Sequence, residues 1–359
     1  MAYTTIDNPE LYFQTKLYAG NGSSQSITFD GSENMQPDWV WVKSRSNTTN
    51  HSVYDIIRGV QQELRPNSTD AEATRSTGLT SFDSDGFSAG NNININNSGY
   101  TYASWNWKAG TSASGNTTGS GTAQSYTASA STTAGFSITA FTGNGTANHT
   151  LPHNLGVAPD WFIIKKRIGT GDSTVRDWNV YHKSLGNTKR IALNSNGAVS
   201  TSSEYWNDTS PTSSVINLGT NDQINGNNNT YICYAFAEKK GYSKFGSYTG
   251  NGNADGTFVY TGFKPAWIMF KESDGSASGD NWFMFDNKRS TFNQTQKFLK
   301  ANTNDAETDN SAGAIDILSN GWKLRTNDTS LNQNNSTYIY MAFAESPLVN
   351  SNGVPNNAR

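Results

Sequence analysis

The residue types that bind metals or act as nucleophiles are few in this chain. Among the four histidines, His149 and His153 are four residues apart, which is a zinc-ligand spacing when both lie on a helix. The segment 150–152 between them contains a proline, which excludes a helix there. The single cysteine, Cys233, lies in an apolar run and is expected to be a small buried hydrophobic residue. These residues therefore predict no zinc site.

One acidic string resembles the start of a calcium-binding loop. Asp83 and Asp85 precede a glycine, but the bidentate glutamate that such a loop requires at a later position is missing. A turn is therefore favoured over a metal site. We expect neither a metal nor a cofactor, and the sequence leaves open whether a calcium ion binds.

Two pairs of carboxylates have the alternate spacing that places side chains on one face of a strand, Asp70 with Glu72 and Asp305 with Glu307. Glycoside hydrolysis needs two carboxyl groups that flank the scissile bond. Both pairs, however, lie in polar segments and recur as part of a repeat, so hydrogen bonding within a loop is favoured over catalysis. The chain contains no nucleophile elbow, phosphate loop or dinucleotide-binding fingerprint. We expect no catalytic residues and no enzymatic activity.

Carbohydrate binding is the alternative to a purely structural role. Aromatic side chains offer a flat apolar face with a polar tip, and Asn, Asp and Gln side chains can hydrogen-bond to sugar hydroxyl groups. The candidate ligand-binding residues lie near predicted loops: Trp178, Tyr205, Trp206, Asn207, Asp208 and Trp282. The segment 205–208 occurs only in the second copy of the repeat described next, so a role in a core is less certain there. Packing in a core is nevertheless favoured for these aromatic side chains, and ligand contact is the alternative.

These candidates belong to a module that occurs three times. Each copy opens with an aromatic residue and a Gly-Asn-Gly turn, continues with a proline and an apolar run that ends in lysine, and closes with an aromatic strand. The openings are Tyr18–Gly22, Phe141–Gly145 and Tyr248–Gly252, the runs are Pro37–Lys43, Pro159–Lys165 and Pro265–Lys271, and the closing strands are Tyr102–Trp107, Tyr231–Glu238 and Tyr338–Glu345. A long-period repeat makes each copy one folding unit. Because an enzyme usually needs one asymmetric site, three copies of an apolar frame indicate a scaffold or a multivalent binder.

The residues within each copy predict strands. The apolar runs consist of β-favouring residues and predict strands that are buried on both faces. Clusters of Gly, Asn and Asp between the runs predict tight turns. The sequence therefore predicts an all-β protein of three tandem two-sheet antiparallel β-sandwiches of the jelly-roll, concanavalin-like type, with the tryptophan after each proline between the two sheets. The helix candidates are short, Val53–Gly59 and Asn287–Gln294.

The repeat and the composition divide the chain into six segments. Residues 110–134 are rich in Gly, Ser and Thr and predict a flexible or extended linker. The short joint after the second module implies that the second and third modules touch, whereas the first should be freer. The predicted segments are an N-terminal attachment arm at 1–16, modules at 17–109, 135–240 and 241–346, the linker at 110–134, and a C-terminal tail at 347–359.

Bulk composition excludes several classes of partner. The net charge is −3 and no Lys/Arg cluster occurs, so binding to nucleic acid is not expected. No apolar run approaches the roughly 20 residues that span a bilayer, and no secretory signal is expected at the N-terminus. The aromatic content of 12% argues against disorder. A chain with one cysteine and no signal peptide suits a virus particle component that is made in the cytoplasm.

Several strings together resemble a known group of proteins. They are the Gly-Asn-Gly turns, the Pro-Asp-Trp strands, Asp55-x-x-Arg58-Gly59, Ser81–Phe87, Tyr102-x-x-Trp105-Asn106-Trp107 and His153–Trp161. In these strings the chain resembles repeat modules of structural proteins from tailed marine bacteriophages, which look like concanavalin-type or laminin-G-like sandwiches in tail fibres or related appendages. The resemblance covers roughly 17–109 and 135–346. The third module departs from it, with Ala266 in place of the aspartate.

The resemblance implies a location in the virion and a role in attachment to the host. It implies other tail or capsid proteins as partners, a homotrimer, and host cell-surface carbohydrate as a candidate ligand, without membrane insertion. Weak sugar sites that are multiplied over modules and chains would gain affinity through avidity. The alternatives are a capsid decoration or head-fibre protein, a polysaccharide depolymerase and a cellular lectin. The resemblance carries no catalytic residues.

Overall fold

The computed structural model describes residues 3–168, 176–275 and 280–355. It confirms the all-β fold class: antiparallel sheets dominate, and the α-helices are single turns. Each of the three modules pairs a larger sheet with a three-stranded sheet. The apolar faces of the two sheets contribute to one cluster in each module, which makes each module a sandwich.

The first module begins earlier than predicted, because its first strand includes part of the predicted arm. Its larger sheet has the order β1-β9-β3-β4, its three-stranded sheet has the order β2-β8-β7, and β5 pairs with β6. The elements are β1 Phe13–Ala19, β2 Gln25–Ile27, β3 Trp39–Ser44, β4 Ser52–Asp55, β5 Gln62–Glu63, β6 Ala73–Thr74, β7 Leu79–Asp83, β8 Gly86–Ala89, α1 Ile93–Asn96 and β9 Thr101–Trp107.

The second module has the widest sheet. The order is β10-β12-β13-β20-β15-β16-β17-β18, and the smaller sheet has the order β11-β14-β19. The elements are β10 Thr111–Asn116, β11 Thr118–Gly119, β12 Ser125–Ser131, β13 Phe136–Thr142, β14 His149–Pro152, β15 Trp161–Ile168, β16 Trp178–His182, β17 Lys189–Ala192, β18 Ser200–Thr201, α2 Ser203–Trp206, β19 Val215–Leu218, α3 Asp222–Asn225 and β20 Thr230–Phe236.

The third module resembles the first in its topology. The larger sheet has the order β21-β29-β23-β24-β25-β26, and the smaller sheet has the order β22-β28-β27. The elements are β21 Ser243–Thr249, β22 Phe258–Tyr260, β23 Phe263–Glu272, β24 Phe283–Asp286, β25 Lys297–Lys300, β26 Thr308–Asp309, β27 Ile315–Leu318, β28 Gly321–Leu324, α4 Thr329–Asn332 and β29 Thr337–Pro347.

The strands formed by the apolar runs are buried on both faces, as the sequence predicts, but the tryptophan after each proline does not lie between the two sheets of its own sandwich. In β3, Val40 and Val42 face the interior of the first sandwich, whereas Trp39 and Trp41 face outward. Successive side chains of a strand alternate between faces, so the outward face also needs an apolar cover. The other modules provide that cover.

One core is shared by all three modules. It contains side chains from the outer face of every larger sheet: Trp39, Trp41, Trp105, Trp107, Phe136, Trp161, Trp178, Tyr234, Phe236, Phe245, Trp267, Trp282 and Phe343, with smaller apolar residues between them. The rings of Trp39 and Tyr234 stack at 4.7 Å between centroids, and those of Trp107 and Trp267 meet edge to face at 5.5 Å. The first module is therefore packed against both others, and the prediction that it is freer is wrong.

Two further local predictions are wrong. The segment predicted as a linker, 110–134, forms β10, β11 and β12 and belongs to the sheets of the second module. The predicted helices are absent among the described residues: Val53–Asp55 lies in β4 and is followed by a turn, and 287–294 forms turns and bends. In both places a turn follows a strand whose last residue, Asp55 or Asp286, accepts hydrogen bonds from the turn.

The N-terminal arm packs on two modules. The arm contains a single helical turn after an Asn cap, a 3-10 helix at Pro9–Leu11 with the side chain of Asn8 accepting from the Glu10 amide. Ile6 belongs to the shared core, and the hydroxyl group of Tyr3 donates to the carbonyl oxygen of Gly262 in the third module. The arm therefore bridges the first and third modules.

Replacement of Trp267 by alanine tests the shared core. Loss of a fully buried tryptophan should lower the free energy of unfolding by about 3–5 kcal/mol. Because all modules contribute to that core, calorimetry should show one transition that moves as a whole to lower temperature. The matched control, Phe292→Ala, removes a ring that is 81% exposed and should leave the transition in place. Separate transitions, of which only one moves, would contradict a shared core.

Candidate functional site

The tryptophans selected as sugar-stacking candidates are buried between modules. The rings of Trp178 and Trp282 belong to the shared core and are not exposed. Each indole N–H donates across a module boundary over 2.9 Å, Trp178 to the carbonyl oxygen of Arg65 and Trp282 to that of Ala192. Neither ring face is open to a sugar, so the stacking hypothesis is wrong for these two residues.

The segment unique to the second module is also mainly structural. Tyr205 and Trp206 lie on α2 in the core of the second sandwich, and the indole N–H of Trp206 donates to the carbonyl oxygen of Lys189 over 2.9 Å. Asn207 ends the helix in a left-handed conformation and donates to Asn148. Asp208 alone is exposed. The buried rings leave no aromatic platform in this segment.

The two boundary tryptophans belong to a contact that is made three times in a cycle. The first module has His51 at the equivalent position, and its Nε2 lies 3.1 Å from the carbonyl oxygen of Lys300. Arg65, Ala192 and Lys300 are themselves equivalent, because each follows the leucine or isoleucine that is repeated in the middle of its module. The second module therefore contacts the first, the third contacts the second, and the first contacts the third in the same way. The three modules form a closed ring.

A buried ionic cluster crosses the boundary between the first and second modules. Asp55 and Arg58 form an ion pair without exposure, and Arg58 also pairs with Glu72 over 3.1 Å. From the second module, the hydroxyl group of Tyr234 donates to Asp55 over 2.6 Å and Arg167 forms a bidentate pair with Glu72. The prediction that Glu72 hydrogen-bonds within a loop thus omitted its bidentate partner, Arg167, which lies in another module.

The same cluster recurs between the third and first modules. Asp286, Arg289 and Glu307 repeat the triad. The indole N–H of Trp105 donates to Asp286 over 3.1 Å, and Arg45 forms a bidentate pair with Glu307. The partner carboxylates of the two predicted pairs, Asp70 and Asp305, are exposed and bond to neighbouring side chains.

The third boundary has a neutral variant of this contact. His182 stands where the other modules have Asp55 and Asp286, and its Nε2 lies 3.3 Å from the carbonyl oxygen of Tyr340. Burial lowers the pKa of His182 to about 3, so the ring is neutral at physiological pH. At this equivalent position, two of the three module boundaries therefore have an ionic contact and one has a neutral contact.

The lysine that ends each apolar run is buried, and two of the three lysines donate across a module boundary. Lys165 donates to the carbonyl oxygens of Ser68 and Arg176, and Lys271 donates to those of Asn196 and Asp280. Burial lowers the pKa of Lys43 and of Lys271 to about 8, and that of Lys165 to about 7. These ammonium groups have mainly carbonyl partners, which is a costly way to hold a charge.

A second repeated feature holds the Gly-Asn-Gly turns. In each module a buried asparagine accepts a hydrogen bond from the backbone amide of the turn and donates to carbonyl oxygens around it. The pairs are Asn96 with Asn21 at 2.9 Å, Asn225 with Asn144 at 3.0 Å and Asn332 with Asn251 at 2.9 Å. Sequence reasoning missed these asparagines, although each stands six residues before the closing tyrosine of its copy. The three loops are thereby fixed at equivalent positions.

The candidate metal residues have other partners. The ring of His149 contacts the side chain of Asn144, and that of His153 contacts the carbonyl oxygen of Thr212. Asp83 accepts from two serine hydroxyl groups, and Asp85 accepts from the amide of Met35. In the described ranges, no group of three or more His, Cys, Asp or Glu side chains could hold a metal ion. Within the same ranges, no helix has the length and apolar character needed to cross a membrane.

The comparisons with known proteins give a family. The family described as "Domain of unknown function (DUF7483)" matches residues 8–347. The chain belongs to this family. The matched range runs across all three modules, so the unit that defines the family is the three-module body. No curated protein matches the chain.

Replacement of Arg289 by alanine tests the buried ionic cluster. The change leaves the carboxylate of Asp286 buried without its cation, and loss of one partner from a buried ion pair costs about 3–5 kcal/mol of stability. The matched control is Arg325→Ala. The side chain of Arg325 is 35% exposed and forms surface ion pairs, so its loss should cost less than about 1 kcal/mol of stability. Chemical denaturation measures both values. A loss of stability in Arg289→Ala that is no larger than the loss in Arg325→Ala would contradict a stabilising role of the cluster.

Replacement of Lys165 by methionine tests the buried lysine through pH. Because burial lowers the pKa of Lys165 from 10.5 to about 7, the unfolded chain binds more protons than the folded chain between these two values. The free energy of unfolding should therefore increase as the pH rises from about 7 to 10.5. In Lys165→Met this increase in the free energy of unfolding should be smaller. The matched control is Lys297→Met, which changes a side chain that is 35% exposed and should show the same increase as the wild type. An unchanged slope in Lys165→Met would be the contrary result.

Proposed function

We propose that the chain is a structural subunit of a tailed-bacteriophage particle, a tail fibre or similar appendage, that acts as one preassembled three-module body. The observation that carries this proposal is the closed ring of modules around a shared aromatic core. Such a ring provides a rigid element with three equivalent faces from a single chain. The resemblance to phage appendage modules supplies the virion context.

The use of the charged side chains supports a structural role. The buried carboxylates Asp55, Glu72, Asp286 and Glu307 are neutralised by arginines at module boundaries. A catalytic acid or base instead faces a cleft that admits substrate. The residues with the strongest ionic contacts therefore serve assembly.

The three Gly-Asn-Gly loops, each fixed by a buried asparagine, support a role in multivalent attachment. The buried asparagines hold each turn in a fixed geometry, and the ring of modules repeats that turn three times. Weak contacts that are presented on a rigid body in three copies gain affinity through avidity. The proposed targets are other virion proteins and host cell-surface carbohydrate. Because one chain already provides three equivalent positions, we propose that it occupies a threefold site of the particle, either alone or as a homotrimer.

Cryo-electron microscopy of the intact phage particle tests this proposal. We expect density for the three-module body at the tail, with the axis of the ring on a local threefold position. A glycan array that is probed with the full chain then tests carbohydrate attachment. Density that is distributed over the head lattice would replace the appendage with a capsid decoration protein. Particles without the chain would overturn a virion role.

A further inference from the structure

The three modules differ at one equivalent edge of their larger sheets. The strands β1, β13 and β21 correspond, because each precedes a Gly-Asn-Gly turn and pairs with the closing strand of its module. In the second module the outer edge of β13 is covered by β12, with Ile138 opposite Ser129 and Ala140 opposite Thr127. The edge of the smaller sheet in that module is also paired, since β11 pairs with β14. Residues 111–131 thus add strands to both sheets.

The equivalent edge of the third module is open. Among the described strands, β21 ends the larger sheet and β22 ends the smaller one. Hydrogen bonds from Ala344 to Tyr242 and from Gly250 to Ser336 show that the even-numbered residues of β21 pair with β29. Pairing alternates along an antiparallel strand, so the amide and carbonyl groups of Phe245 and Ser247 point to the open side.

The small sheet presents a second open edge to the same groove. Leu324 donates to Thr257 and Thr261 donates to Asn320, so the backbone groups of Phe258 and Tyr260 on β22 point away from β28. The side chains of Phe258 and Tyr260 are 42% and 50% exposed. Two unpaired strand edges and two exposed rings therefore border one space.

That space is a groove of about 640 Å³ between the second and third modules. It is lined by 244–249, 257–260 and, from the second module, Lys183 and Ser184. The corresponding place between the third and first modules is smaller, a cavity of about 60 Å³ beside Phe13 and Thr15 that the N-terminal arm borders. The place beside β21 is therefore the larger of these two equivalent spaces.

We propose that this groove binds an extended, uncharged segment of a partner protein, rich in Ser, Thr and Ala, which adds a strand to β21. This inference goes beyond the proposed function. The chain itself provides the precedent, because β12 is a segment of that chemistry on the equivalent edge of the second module. Main-chain hydrogen bonds provide the affinity in such strand addition.

The charges in the wall of the groove favour an uncharged segment. Two lysines face two carboxylates there: Lys183 pairs with Asp160 at 3.1 Å and with Glu238 at 2.9 Å, and Lys244 pairs with Glu238 at 3.1 Å. The wall therefore has no unbalanced charge that would select an acidic or basic segment. An open edge is also a hazard, because unpaired strands recruit other chains.

A labelled peptide with the sequence of residues 125–131, added to the full chain, tests the proposal. We expect saturable binding in fluorescence anisotropy and slower hydrogen exchange at the amides of Phe245 and Ser247. Ser247→Pro removes an amide that faces the groove and leaves the pairing with β29 intact, so binding should weaken about tenfold or more. The matched control, Ser247→Ala, keeps the amide and should bind as the wild type does.

Other outcomes would overturn the proposal. Exchange that the peptide leaves unchanged at Phe245 and Ser247 in the wild type would exclude strand addition at β21, however the proline variant folds. Self-association that protects the same amides without peptide would assign the groove to a second copy of the chain. Binding of a neutral oligosaccharide that is lost in Phe258→Ala, without peptide binding, would assign it to carbohydrate.

Discussion

The structure depends on the burial of the outer aromatic face of each larger sheet. A sandwich needs only one apolar face per sheet, yet Trp39, Trp161 and Trp267 lie on the face that points away from their own sandwich. A separate module would expose this face as a large apolar patch, which soluble monomers rarely tolerate. Closing three modules into a ring buries all three patches at once. The modules are therefore repeats in sequence but parts of one body in folding.

Polar contacts fix how the modules meet within this apolar core. Apolar packing alone is not directional, whereas the contacts of His51, Trp178 and Trp282 with carbonyl oxygens require one orientation. The buried clusters around Arg58 and Arg289 add charge pairs that are costly to separate. These contacts fix the orientation of each module relative to its neighbours. They also account for the charged residues that resemble catalytic pairs, because these residues bond to other modules.

Local sequence predicts the strands but not the aromatic core that all three modules share. The β-favouring runs identify β3, β15 and β23, because burial on both faces leaves no polar position between the tryptophan and the closing lysine of each run. The sequence cannot show that the second face belongs to other modules, so it predicts Trp178 and Trp282 as ligand-binding residues when both lie in the shared core. Residues 111–131 have the composition of a linker but form strands, since pairing with the existing edge of β13 outweighs their weak intrinsic preference.

Native-state hydrogen exchange tests the shared core most directly. The amides of Val40, Phe162 and Ile268 lie at equivalent positions in the central strands of the three larger sheets. If the modules form one cooperative body, these amides exchange through a single opening, with the same free energy and the same dependence on denaturant. Three different opening free energies would contradict the account, because each module would then unfold by itself.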